Sequence, residues 1–318
     1  MLIAGPNLAI DRTSTVSELR PGNVLRLGDV VVTAGGKGVN VARAARALGV
    51  PAVLVGFLAG QAGGAAGALM AAEGLEVRGV PAPGELRTCS IVLEPSGRVT
   101  VLNEPGPELS AADWTALEAV VEAALPDHAV LVCSGSLPPG APAEGYARLV
   151  ERARGAGRTV VLDANGPVLA AALAAEPDAV TPNLAEAEAL LGRHGPEAVE
   201  ASPDARPRAL TAAAELVARG ARAAVVTAAA AGAAVARDGE RAWLDAPAVR
   251  ARNPIGAGDA LTAGLAAGLE RGDDVIDAVR RGVATAAASV ESVRAGDLDA
   301  ARMAQLLRGL GAPEVASP

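Results

Sequence analysis

Residues 129–162 read AVLVCSGSLPPGAPAEGYARLVERARGAGRTVVL, and this stretch decides the fold class. An apolar run at 129–133 is followed by a helical run at 143–153 and by a second apolar run at 159–162. Strand, helix and strand in this order are typical of a parallel sheet covered by helices. The same alternation continues along nearly the whole chain. The sequence therefore predicts an α/β fold, a mostly parallel central sheet between two helical layers.

The same reasoning places the other elements of the main sheet. Further strands are predicted at residues 2–5, 52–57, 179–181 and 223–227. Further helices are predicted at residues 39–48, 64–73, 111–124, 184–191, 209–219, 258–271 and 275–293.

Two stretches, at about 13–33 and 86–103, break this alternation with the period-2 pattern of antiparallel ribbons. Open α/β sheets bind ligands at the carboxyl ends of their strands, so ribbons inserted there could form a small β lid over a site. We expect one domain over residues 1–318, with the lid as part of it.

Composition excludes several classes of function. The 318 residues are 51% hydrophobic, which is enough for a large core, and the net charge is −8. This charge and an aromatic content of 1% argue against a nucleic-acid partner. No apolar run reaches the roughly 20 residues that cross a bilayer, and no secretory leader is visible, so we expect a cytoplasmic protein. Two cysteines and two histidines offer no zinc pattern.

Lys37 is the only lysine among 28 basic residues. It lies in the sequence GGKG at 35–38, where glycines let a compact ammonium approach an anionic ligand closely. A lysine that survives by chance on the surface is the alternative interpretation. The flanking glycines favour a binding role.

The sequence NPIGAGD at 253–259 leads directly into a predicted helix. Glycines at a helix start expose backbone N–H groups, and the helix dipole favours a phosphate there. Asp259 could accept a proton from an attacking hydroxyl while the N–H groups of Gly256, Ala257 and Gly258 hold the developing charge. Taken alone, the motif is equally compatible with an ordinary aspartate in a first helical turn.

Two motifs together resemble the ribokinase-like (PfkB) carbohydrate kinases. GGKGVNVAR at 35–43 is similar to the first signature of that family, and GAGD at 256–259 is similar to the second. Four more stretches resemble the branch of 1-phosphofructokinases and tagatose-6-phosphate kinases: NLAID at 7–11, NEPGP at 103–107, SGSLPPG at 134–140 and PNLAE at 182–186. The chain is identified as a member, which implies a ribokinase-like fold and ATP-dependent phosphorylation of a sugar phosphate.

The resemblance also implies roles for individual residues. Asp259 would be the general base, with Gly256, Ala257 and Gly258 as the anion hole. The substrate would contact Asp11, Gly35, Gly36, Lys37 and Asn40, with Lys37, Arg87 and Ser136 on its phosphate. ATP would contact Asn183, Glu186, Thr227, Gly258, Ala284 and Ala288. Asn183 and Glu186 would also lie near Mg²⁺, through water.

Several alternatives stay open. Arg87 could face solvent, Asn183 and Glu186 could form a helix capping box, and Ala284 and Ala288 could belong to the core. Departures from the family pattern lie on the nucleotide side, where Thr181 replaces a lysine and residues 228–231 replace a glycine-containing turn.

The sequence leaves more than one sugar phosphate possible as the substrate and gives only an indirect indication of the oligomeric state. Conversion of fructose 1-phosphate to fructose 1,6-bisphosphate is favoured. A tagatose-6-phosphate kinase, a 6-phosphofructokinase and a non-catalytic sugar-phosphate sensor are the alternatives. The apolar strands of the lid have edges that a second copy could cover, which suggests a homodimer.

Overall fold

A ten-stranded sheet forms the centre of the computed structural model, which describes residues 1–193 and 202–316. In their order across the sheet the strands are β14 (Glu314–Ala316), β13 (Glu240–Asp245), β12 (Gly232–Arg237), β11 (Ala223–Thr227), β10 (Ala179–Val180), β9 (Thr159–Asp163), β8 (Val130–Ser134), β1 (Leu2–Ala4), β4 (Val53–Ala59) and β5 (Glu76–Ala82). The strands from β11 to β5 are parallel, and β12, β13 and β14 are antiparallel to their neighbours. The predicted mostly parallel sheet is confirmed.

Helices cover both faces of this sheet. One face carries α1 (Lys37–Ala47), α2 (Gly60–Ala72), α8 (Ala257–Glu270) and α9 (Val275–Ser289). The other face carries α3 (Ala111–Ala124), α4 (Gly145–Gly155), α5 (Gly166–Leu173), α6 (Leu184–Leu190) and α7 (Ala205–Ala218). The last helix, α10 (Ala300–Gly309), packs on α9.

The alternation of side chains along each strand divides the interior into two hydrophobic cores. In β1, Leu2 and Ala4 face the core under α3 and α4, whereas Ile3 faces the core under α1 and α8. The arrangement is therefore the predicted three-layer α/β/α sandwich. Among the described residues, no helix is both long and apolar enough to span a membrane.

Predicted and observed elements agree along most of the main sheet. Every strand and helix predicted for it is present, with bounds that differ by a few residues. The sequence reasoning missed α5, α10, β5, β14 and the hairpin of β12 and β13. The strand β12 reads GAAVAR, and its alanines have a low strand propensity. The turn signal was present, since Asp238 and Gly239 connect the strands with φ angles of 44° and 80°.

A separate four-stranded sheet, here called the small sheet, lies beyond the carboxyl end of β1. Its order is β3 (Val30–Gly35), β2 (Ala9–Thr15), β6 (Arg87–Leu93) and β7 (Val99–Asn103). The β2–β3 and β6–β7 pairs are antiparallel, and β2 and β6 are parallel. Asp11 lies opposite both Thr33 and Cys89. That this sheet closes over a ligand stays a prediction.

Candidate active site

Five polar residues, three of which were expected in the site, lie at one edge of the main sheet. Asn7 follows β1, Ser136 follows β8, Asp163 ends β9, Asn183 follows β10 and Thr227 ends β11. Because these strands are parallel, their carboxyl ends share this edge, where α/β sheets bind ligands. Ser136, predicted on the substrate phosphate, and Asn183 and Thr227, predicted on ATP, therefore lie along the same edge.

The turn before α8 presents free backbone donors. Gly256 caps the helix with φ 83°, a left-handed conformation that favours glycine. A Cβ on Gly258 would meet no atom within 4 Å, so the backbone is open to a ligand there. Within the described part of the chain, the N–H groups of Gly256 and Gly258 have no hydrogen-bond partner, and that of Ala257 makes a long bond of 3.3 Å to the Pro254 carbonyl. The turn can thus accept an anion.

Asp259 lies in the first turn of α8 and is 5% exposed. Asn40 Nδ2 donates a hydrogen bond of 2.8 Å to Asp259 Oδ2. Burial and then the nearby charge of Asp163 raise the pKa of Asp259 to about 7, although Lys37 and Asn40 act in the opposite direction. A carboxylate with such a pKa is suited to accept a proton near neutral pH.

Lys37 is held between carboxylates. Its Nζ lies 3.0 Å from Asp163 Oδ1 and 3.9 Å from Glu186 Oε1. Burial alone would lower the pKa of Lys37, but Asp163, Asp259 and Glu186 together raise it, so the side chain stays cationic. Lys37 was expected to bind the phosphate of the substrate. It lies between the residues predicted to bind the sugar and those predicted to bind ATP.

Asp163 is a residue that the sequence reasoning missed. It is 3% exposed, and its Oδ2 accepts a hydrogen bond of 3.3 Å from Ser134 Oγ. The sequence contained a usable signal, because Asp163 is a carboxylate placed directly after the apolar run of β9. Its charge acts on both Lys37 and Asp259.

Asp11 projects from β2 against Gly35 of β3. A Cβ on Gly35 would lie 2.0 Å from Asp11 Cγ, so a larger residue there would displace the Asp11 carboxylate. Burial raises the pKa of Asp11, while the charges of Arg87 and Arg43 lower it. The buried carboxylate is an acceptor suited to sugar hydroxyls.

Arg87 is connected to Ser136 by hydrogen bonds through Asn7. Arg87 Nη2 donates a hydrogen bond of 3.0 Å to the Asn7 carbonyl, and Asn7 Nδ2 donates one of 2.9 Å to Ser136 Oγ. Arg87 Nη1 also reaches the Glu104 carbonyl over 3.4 Å. Asn7, which had no predicted role of its own, thus brings together the two residues expected to hold a phosphate.

Asn183 and Glu186 form the capping box of α6, which confirms the structural alternative for this pair. Asn183 Oδ1 accepts from Glu186 N over 2.8 Å, and Glu186 Oε2 accepts from Asn183 N over 2.9 Å. Glu186 Oε1 accepts from Asn165 Nδ2 over 3.0 Å. Each carboxylate oxygen of Glu186 thus accepts one hydrogen bond, and contact of the pair with Mg²⁺ through water stays a prediction. Thr227 lies beside Asn183 in an isolated parallel bridge.

The remaining nucleotide-side positions are mainly apolar. Ala284 and Ala288 are buried in a cluster with Met303 and Leu306 of α10, so they are part of the core. Their contact with adenine stays a prediction. Thr181, which replaces a lysine, pairs its hydroxyl with that of Thr262 over 2.9 Å.

Known proteins resemble this chain along nearly its whole length. The profile of the pfkB family carbohydrate kinase matches residues 7–301. A 1-phosphofructokinase of Rhodobacter capsulatus is 37% identical over 86% of this chain and 85% of its own. A 1-phosphofructokinase of Haloferax volcanii is 37% identical over 94% of each chain.

The likeness extends to solved structures. The crystal structure of phosphofructokinase-2 from Escherichia coli in complex with fructose-6-phosphate superimposes with a TM-score of 0.85 and 28% identity. The superposition covers 98% of both chains. Together with the matched family profile, these findings confirm the resemblance seen in the two signatures. The chain belongs to the pfkB family of carbohydrate kinases, which are phosphotransferases.

Proposed function

We propose that this protein is a 1-phosphofructokinase that uses ATP to convert fructose 1-phosphate to fructose 1,6-bisphosphate. The observation that carries the proposal is the buried carboxylate of Asp259, in the same turn as the N–H groups of Gly256 and Gly258, which find no acceptor among residues 1–193 and 202–316. The name shared by the two relatives at 37% identity supports the choice of substrate. The protein would act in the cytoplasm, as the sequence predicts.

Asp259 acts as the general base. The 6-hydroxyl oxygen attacks the γ-phosphorus of ATP, the bond from that phosphorus to the β-phosphate oxygen breaks, and the hydroxyl proton passes to Asp259. ADP and the bisphosphate are the products. The N–H groups of Gly256 and Gly258 hold the charge on the transferred phosphoryl group, with a smaller part for Ala257, whose N–H is shared with Pro254.

The substrate is oriented by its existing phosphate. Arg87 and Ser136, joined through Asn7, bind this group together with Lys37. The sugar hydroxyls contact Asp11, Asn40 and the backbone of Gly35 and Gly36. This arrangement places the unphosphorylated end of the sugar at Asp259.

The nucleotide lies along the carboxyl ends of β10 and β11. Asn183, Glu186 and Thr227 face its phosphates, and Ala284 and Ala288 lie on the side of the adenine. Mg²⁺ supplies neutralisation of the phosphate charges when it is bound, and Asn183 and Glu186 would hold it through water. The small sheet closes over the ligands as a lid and excludes water.

The proposal is tested with purified protein, MgATP and a panel of fructose 1-phosphate, fructose 6-phosphate and tagatose 6-phosphate. We expect kcat/KM for fructose 1-phosphate to exceed the others by about 10-fold or more, because only this acceptor presents its 6-hydroxyl while its phosphate binds Arg87. A preference for fructose 6-phosphate would reverse the orientation and make the protein a 6-phosphofructokinase. Calorimetric binding of a sugar phosphate without ADP release would instead identify a sensor.

The outer face of the small sheet supports a homodimer. Val30, Val32 and Leu102 lie on the face opposite to Asp11 and are 40%, 41% and 63% exposed. Exposed apolar patches of this kind are typical of protein interfaces. We expect Leu102→Asp to convert a dimer to a monomer, measured by light scattering after size-exclusion chromatography.

The control for this prediction is Ala119→Asp, on the exposed surface of α3, which introduces the same charge away from the small sheet. It should leave the mass unchanged. A wild-type protein that is monomeric at tens of micromolar would contradict the dimer.

A further inference from the structure

A buried arginine lies behind the site and connects several elements. Arg43 of α1 is 1% exposed, and all five of its N–H groups have acceptors. The acceptors are Glu73 Oε2 at 2.6 Å, Glu73 Oε1 at 3.1 Å, the Ala34 carbonyl at 2.9 Å, the Ala295 carbonyl at 2.6 Å and Asn40 Oδ1 at 3.1 Å. Because every N–H group of the guanidinium has an acceptor, the orientation of the Arg43 side chain is fixed.

Arg43 determines the orientation of the Asn40 amide. Asn40 is 4% exposed, and its Oδ1 accepts from Arg43 while its Nδ2 donates to Asp259 Oδ2 over 2.8 Å. A flipped amide would turn its NH₂ towards the guanidinium, where both groups are donors, and its oxygen towards the carboxylate, where both are acceptors. Only the observed orientation satisfies both neighbours.

The same arginine holds the segment that separates α1 from the start of α8. Its bond to the Ala295 carbonyl fixes the residue before Gly296, and a Cβ on Gly296 would lie 2.5 Å from the Asn40 carbonyl oxygen. A Cβ on Gly256 would lie 3.0 Å from Gly296 N. The spacing between Asn40 and the turn before Asp259 therefore depends on this close contact.

We infer that Arg43 is a positioning residue for phosphoryl transfer, which acts by fixing the Asn40 amide so that it orients the Asp259 carboxylate. The inference rests on the proposed role of Asp259 as base. Arg43 touches neither substrate nor nucleotide in this scheme. Its charge also lowers the pKa of Asp11, but a lysine keeps that charge, so the effect of losing the guanidinium passes through Asn40.

The test uses the full-length Arg43→Lys variant, which keeps the charge but loses the planar fork of donors. We expect kcat to fall about 10- to 100-fold with a change in KM for the sugar phosphate of less than about 3-fold. The acidic limb of the pH profile of kcat/KM should move to higher pH, because Asp259 loses a fixed donor. Lys37 from α1 and Asp163 from β9 also face Asp259, Glu186 from α6 faces Lys37, and all three are unchanged in the variant.

A double-variant cycle separates this effect from general damage. If Arg43 acts through Asn40, Arg43→Lys should have little further effect on kcat when Asn40 is already alanine. The inference would be overturned if the losses in kcat of the two single variants multiplied in the double variant, or if the pH profile of Arg43→Lys were unchanged. Arg208→Lys is the matched control, because it alters another arginine–carboxylate fork, the half-buried one with Glu188 at 2.8 Å, which has no bond to Asn40 or Asp259. It should leave kcat and the pH profile unchanged.

A second measurement needs no substrate and so stands apart from the proposed function. The pKa of Asp259 is obtained from the pH dependence of the stability difference between a protein and its Asp259→Asn derivative. This difference should reach its plateau at higher pH in the Arg43→Lys background than in the wild type. An unchanged plateau contradicts the inference even if no sugar phosphate is turned over. If Arg43→Lys does not fold, Glu73→Gln, which loosens the fork but keeps Arg43, should shift the same plateau by a smaller amount.

Discussion

Asp259→Asn should lower kcat by about 10²–10⁴-fold, the range attributed to general base catalysis. The amide has the shape of the carboxylate and can still accept the hydrogen bond from Asn40, but it cannot take the proton of the attacking hydroxyl. Binding of the sugar phosphate should change little. Steady-state ADP release measures kcat, and isothermal titration measures binding.

The matched control is Asp277→Asn, an exposed aspartate in the first turn of α9. It changes the same chemical group at the same helical position and should leave kcat unaffected. Near-normal turnover in Asp259→Asn would remove the base assignment, and an equal loss in Asp277→Asn would show that the effect is not specific to the site.

The same variant has a second consequence, for stability. The pKa of Asp259 is raised from 3.8 to about 7 in the folded protein. The neutral carboxyl of Asp259 makes its full contribution to the stability of the folded protein below about pH 4. This contribution is lost as the pH rises through 7, because burial and Asp163 oppose ionisation in the folded state. Asp259→Asn avoids this ionisation. At pH 8 the free energy of unfolding of the variant should therefore exceed that of the wild type by up to a few kcal/mol, since a difference of one pKa unit corresponds to about 1.4 kcal/mol.

Chemical denaturation at pH 4 and pH 8 tests this difference. The advantage of the variant should nearly vanish at pH 4, where both side chains are neutral. A variant that is less stable than the wild type at pH 8 would show that the carboxylate is solvated or better paired than its surroundings indicate.

The fold could be predicted from sequence because its main strands are buried on both faces. Runs such as β8 and β9 are then continuously apolar, and the helices between them carry their own periodicity. The strand β12 has neither feature. Its alanines become a strand because β11 and β13 lie on either side, and this pairing is a property of the sheet rather than of the segment.

The site was predictable where function is concentrated in short motifs. Asn40 and Asp259 belong to the two signatures, and they meet across 219 positions of sequence. Asp163 and Arg43 were missed because their importance lies in contacts with residues distant in the chain, such as the 126 positions between Lys37 and Asp163. A buried ion pair of this kind has no local pattern.

Lys37→Met should lower kcat/KM at pH 7 by about 10²–10³-fold, a loss comparable with that of a preorganised donor to a developing anion. It removes the cation that lies among Asp163, Glu186 and Asp259. Two effects combine, because the substrate phosphate loses a partner and the pKa of Asp259 rises further. Part of the loss should return at pH 9, where Asp259 is again ionised, and the part due to phosphate binding should remain. A pH-independent loss would exclude an effect on Asp259.

Lys37→Arg separates charge from shape. The positive charge is retained, yet a guanidinium fork favours two parallel bonds to one carboxylate, which would draw Asp163 away from its present bond to Ser134. We expect an unchanged melting temperature and a loss in kcat of about 10-fold or more. The exposed Arg46→Lys, on the same helix, is the reverse exchange and should have no effect. Wild-type turnover in Lys37→Arg would mean that charge alone suffices, and that the single lysine in an arginine-rich chain is there by chance.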